Sequence, residues 1–72
     1  MKKTYALRNL DCANCARKME DAVRKLDGVE AVSISFLSQK LTLTAADDRF
    51  DDILKQAAKV CKKVEPDCEI LW

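Results

Sequence analysis

Cys12 and Cys15, in the run Cys12-Ala13-Asn14-Cys15, are the residues of this chain best suited to chemistry. Two thiols at this spacing can converge on one ion when the second opens a helix. The unpaired N–H groups and dipole of the first turn then favour ionised sulfurs. Thiolates are soft donors, so copper(I), zinc, cadmium, lead and mercury suit such a pair, whereas magnesium and calcium do not. Two other readings stay open: small core residues, or thiol-disulfide exchange, because Cys-x-x-Cys at a helix N-terminus is also the redox arrangement. A chain of 72 residues that starts so close to its motif is short for a thioredoxin-like fold.

The elements that must position the pair follow from periodicity. Tyr5 and Leu7 alternate with Thr4, Ala6 and Arg8 as in a half-buried strand that runs into Asn9-Leu10-Asp11. After the motif, Ala16, Met19, Ala22, Val23 and Leu26 form one helical stripe, which Asp27-Gly28 closes with a C-cap glycine. Val32, Ile34 and Phe36, then Leu41 and Leu43, alternate with polar residues and predict a hairpin with one buried face. Asp47 or Asp48 can cap a second helix whose stripe is Phe50, Ile53, Leu54, Ala57, Val60 and Cys61. A last strand, roughly residues 64–71, contains Pro66 and so belongs at a sheet edge. The order βαββαβ, with two one-sided helices, predicts an α+β ferredoxin-like sandwich: an antiparallel four-stranded sheet with both helices on one face, formed by residues 1–72 as one domain.

Asn9-Leu10-Asp11-Cys12-Ala13-Asn14-Cys15-Ala16, followed by an amphipathic helix and Gly28-Val29, resembles the heavy-metal-associated domains. In that family a Gly-Met-x-Cys-x-x-Cys loop on a βαββαβ sandwich binds one metal ion, in a free chaperone or in a cytosolic domain of a metal-pumping P-type ATPase. Here Asn9 and Leu10 replace the Gly and Met, with Leu10 in the apolar slot of the methionine. Asp11 stands where copper(I) members usually carry Thr, and Asp-Cys-x-x-Cys is similar to the zinc-, cadmium- and lead-exporting ATPases. Chemistry agrees, because a carboxylate beside two thiolates makes a three-ligand set for zinc-type ions and offers little to copper(I). The alternative role for Asp11 is a helix N-cap.

In this topology the second helix ends beside the metal loop, so Cys61 is a candidate third thiolate as well as a core residue. Cys68 and Met19 read as core, Cys68 on a final strand that has by then run several residues away from the site, and Lys62-Lys63 as a solvated pair that can also offset the charge of a thiolate complex.

Composition narrows the function further. Thirteen Lys and Arg against 12 Asp and Glu leave no basic field for nucleic acid. Arg8 and Asn9 interrupt any apolar stretch long enough for a signal peptide or membrane span, which predicts a cytoplasmic monomer with reduced thiols. No nucleotide loop is visible, so the domain itself is expected to be non-catalytic. The expectation is a domain that binds zinc, cadmium or lead through Asp11, Cys12 and Cys15, with Cys61 a candidate, and that serves the body of a transport ATPase or its other cytosolic domains. The rivals are a free carrier of copper(I) or mercury, and a redox module.

Overall fold

A computed structural model describes residues 1–10 and 12–72. Its elements are β1 (Lys2–Arg8), α1 (Ala13–Arg24), β2 (Val29–Ser35), β3 (Lys40–Ala45), a 3-10 turn (Asp47–Arg49), α2 (Phe50–Val64) and β4 (Glu69–Leu71). The strands form one antiparallel sheet in the order β2-β3-β1-β4. This is the ferredoxin-like βαββαβ sandwich that the hydrophobic periodicity predicts.

Side-chain alternation fixes the register. Tyr5 lies opposite Leu41, Leu7 opposite Ile70, Val32 opposite Leu43 and Ile34 opposite Leu41, so each pairing turns its larger apolar residues to the helices. A one-residue slip would put that whole set in water. Met19 and Val23 of α1, Leu41 and Leu43 of β3, and Ile53 and Ala57 of α2 are all at 0% exposure. Burying a large apolar side chain stabilises by about 1.5–3 kcal/mol, so this layer carries the fold. Glu20 adds a polar tie from α1 to the edge strand β2. Its carboxylate accepts from the Ile34 N–H at 3.0 Å and from Arg24 at 2.8 Å.

Four local expectations are corrected. Helix α1 stops at Arg24 with Lys25 as its C-cap, and Gly28 lies beyond the cap in the turn that enters β2. Its φ of 93° explains the glycine. The 3-10 turn has no side-chain cap. Asp47 instead holds the chain's terminal amino group at 2.6 Å, which also donates to the Ala45 carbonyl at 2.8 Å. The last strand is only Glu69–Leu71, because α2 runs on to Val64, and Pro66 falls in the connection and not in a strand. The strand is nonetheless at an edge, as the proline suggested. Cys68 is buried as expected but does not lie several residues from the metal loop. The antiparallel pairing begins at Arg8 and Glu69, so β4 starts at the loop end of the sheet.

Gly28 gives a sharp test of the core. A Cβ there would meet the Ile53 Cδ1 at 2.6 Å in a backbone conformation that L side chains rarely adopt. Gly28→Ala is expected to lower unfolding free energy by about 1–3 kcal/mol in a urea titration, through overpacking and the positive φ together.

Candidate metal centre

Three elements build the site end. Strand β1 delivers the chain to Asn9, whose φ of 63° is left-handed. Glycine adopts this conformation freely and asparagine is next best, so Asn9 can take this left-handed turn without a glycine. Leu10 then buries its side chain to 2% exposure in the core, occupying the apolar slot expected of it. Asp11 lies outside the described residues.

Helix α1 begins with Cys12 as its N-cap, in extended conformation with φ −141° and ψ 119°. Its sulfur accepts the Cys15 N–H at 3.3 Å, and its carbonyl accepts the Ala16 N–H at 3.1 Å. The N-cap position of α1 is thus filled by a cysteine of the pair. Both thiols are half-buried, accessible to an ion but screened on one side. The Cys15 thiol is pushed up to about 12. Hydrogen bonding to Cys12 is the largest cause, hydrogen bonding to the Glu65 carboxylate the next, followed by burial and the charges of those same two groups. The helix N-terminus was expected to favour thiolates, whereas these acidic neighbours push the Cys15 thiol toward its protonated form.

Glu65 is a site residue that spacing in the sequence did not reveal. It is the C-cap of α2, with its N–H donating to the Cys61 carbonyl at 2.9 Å, and its side chain meets Cys15. The end of α2 thus comes to the metal loop, as the topology required. The exposed Lys62 and Lys63 lie in its last turn, where cations favour the helix C-terminus.

Cys61 is brought to the same end but not to the surface. It is 1% exposed and packs in the core with Cys68. Among the described residues, no three Cys, Asp, Glu or His side chains form a cluster able to hold an ion. Cys12 and Cys15 are therefore the pair that the structure places together, while Cys61 lies in the core. All four cysteines are thiols without disulfides.

Burial first, and the neighbouring Cys68 second, push the Cys61 thiol up to about 12 from its ordinary 9.0. A raised thiol pKa means that unfolded chains ionise before folded ones. The metal-free fold should hold its full stability below pH 9 and lose it as pH rises toward 12. Urea midpoints measured from pH 8 to 11 check this, and Cys61→Val should flatten the fall.

The fold and the paired thiols at its helix N-cap define a class: ferredoxin-like domains that present a Cys-x-x-Cys loop to soft metal ions. Residues 4–66 match the heavy-metal-associated domain family, and the chain belongs to it. The "Cadmium, zinc and cobalt-transporting ATPase" of Bacillus subtilis is 32% identical over 66 residues, covering 92% of this chain and 9% of that protein. The chain thus spans under a tenth of that relative's length. The solution structure of the N-terminal domain of ZntA in the Zn(II)-form is 31% identical with a TM-score of 0.76, covering 97% of this chain and 88% of that one. The CopZ metallochaperone shares the fold with a TM-score of 0.80, 13% identity and coverage of 99% and 100%. The chain is a heavy-metal-binding domain related to the N-terminal domains of metal-transporting P-type ATPases. Among the described residues, no helix is long and apolar enough to cross a membrane.

Proposed function

We propose that Cys12 and Cys15 hold a zinc, cadmium or lead ion as cargo, with Asp11 as the third donor, and that residues 1–72 serve as a cytosolic metal-binding or regulatory domain of a metal-transporting P-type ATPase. The observation that carries this reading is the placement of Cys12 at the N-cap and Cys15 one turn on, joined by the 3.3 Å bond from the Cys15 N–H to the Cys12 sulfur. The chemistry is reversible ligand exchange, in which the ion passes to the pump body or its other cytosolic domains.

Two features support a divalent ion. Asp11 precedes the pair, and a carboxylate suits zinc-type ions better than copper(I). Glu65 adds a second carboxylate beside Cys15, and its attraction to a dication is twice that to a monocation at the same distance. The likeness to a relative named for cadmium, zinc and cobalt agrees with this. Cys61 can join only if the core opens to it, so it is the reserve donor in this reading.

Competitive titration of the reduced protein with zinc, cadmium, lead and copper(I) tests the proposal. Asp11→Ala should weaken zinc and cadmium by roughly 100-fold, one ligand's share, while copper(I) affinity changes little. Equal losses for every ion, or none, would remove Asp11 from the ligand set. Glu65→Gln should narrow the preference for divalent ions over copper(I) by about ten-fold. The pump assignment predicts a reading frame that continues past Trp72 into membrane-spanning helices, and a stop codon there overturns it.

A further inference from the structure

Leu10 stands two residues before Cys12 with its side chain buried, so its peptide N–H and C=O need partners within the protein. Strand β1 has already ended at Arg8. The partners come from the side chain of Gln39, in the turn between β2 and β3. The Leu10 N–H donates to the Gln39 Oε1 at 3.1 Å, and the Gln39 Nε2 donates back to the Leu10 carbonyl. The same Nε2 donates to the Phe36 carbonyl at 3.0 Å, and the Gln39 carbonyl accepts from the Leu7 N–H at 2.7 Å.

A carboxamide presents one acceptor and one donor group with nearly the geometry of a peptide. Gln39 therefore acts for Leu10 as a neighbouring strand residue would, extending the β1–β3 ladder past the last paired residues by means of a side chain. Its own φ of 57° is left-handed, a conformation a glutamine rarely holds unless its surroundings enforce it.

We propose that Gln39 is a positioning residue of the metal loop: its carboxamide clamps the Leu10 peptide, so that the following thiols meet an ion already ordered. This rests on the reading that Cys12 and Cys15 hold the ion. A clamped loop orders little on capture, whereas a loosened one gives up conformational freedom with each ion bound. Groups that orient ligands without touching the metal typically change affinity 10–100-fold when removed.

The test uses cadmium titrated against a chelator into the reduced protein and into Gln39→Met, Gln39→Glu and Cys12→Ser. Methionine keeps the length and apolar stem but removes all three side-chain bonds. Gln39→Met should bind cadmium about ten-fold more weakly with an unchanged thiolate absorption band per ion. Gln39→Glu, which keeps only the acceptor for the Leu10 N–H, should also weaken binding. If Gln39→Met folds and binds like the parent, the clamp is overturned while the metal reading stands. If Cys12→Ser binds like the parent, the metal reading itself fails. Hydrogen exchange of the unsubstituted, metal-free protein guards against a variant that does not fold. The Leu10 amide should be protected at least as well as the amides of the edge strand β4, and rapid exchange there would overturn the clamp.

Discussion

Cys15→Ser is expected to lower zinc or cadmium affinity by at least about 100-fold and to leave the fold intact. Structural zinc sites draw about 10–16 kcal/mol from four ligands, so one thiolate carries roughly 3 kcal/mol, or two decades of affinity. Cys12→Ser should cost as much in binding, although serine is itself a good N-cap and can accept the N–H that the Cys12 sulfur accepts at 3.3 Å. Both positions are half-buried, and Cys15 packs against the edge of the core without lying inside it, so urea midpoints of the two variants should stay close to the parent's. Cadmium titrations followed by the thiolate absorption band separate the effects. A serine variant that retains the band and the affinity would remove that cysteine from the site. Loss of binding together with loss of the fold would show that the cysteines are structural.

The second large effect is proton linkage. Cys15 is pushed up to about 12 by its hydrogen bond to Cys12, then by Glu65, so across the neutral range it carries a proton that an ion must displace. The sign follows directly: raising pH removes the competing proton, so affinity rises. One displaced proton gives a ten-fold gain per pH unit, or about 1.4 kcal/mol, until pH nears the thiol's own titration. From pH 6 to pH 8 the apparent zinc affinity should therefore grow about 100-fold through Cys15 alone. Calorimetry in buffers of different ionisation enthalpy counts the protons released. In Cys15→Ser the slope should fall by one decade per pH unit, and a parent protein with no pH dependence would mean that Cys15 ionises before the metal arrives.

These two effects rest on neighbouring residues, and neighbouring residues are what a sequence displays best. The Cys12–Cys15 spacing, the helical stripes and the strand alternation all depend on contacts within a few positions, where periods of 3.6 and 2 decide which side chains share a face. Even Asn9 and Leu10 were legible in part. Leu10 fills the apolar slot expected of it, and the left-handed turn at Asn9 shows how the loop dispenses with glycine.

Glu65 and Gln39 were not legible in that way. Glu65 reads as one more charge after a basic pair, and its meeting with Cys15 depends on where α2 stops. The apolar stripe left that boundary open, since Val64 could as well have begun a strand. Gln39 reads as a polar residue in a hairpin turn, yet its partner in the metal loop is 29 positions away. Cys61 fits a stripe and a site end equally well by position, and only packing turned its side chain into the core.

By itself, then, the sequence determined the Cys12-x-x-Cys15 pair on which the soft-metal reading rests and the βαββαβ order that carries it, because both are written in local spacing. Tertiary structure alone decided what surrounds the thiols. It placed a carboxylate from the end of α2 against Cys15, held the loop with a side chain from the β2–β3 turn, and buried Cys61 with Cys68. Those contacts join distant parts of the chain, and they exist only once the core has set how far each element runs and which way its ends face.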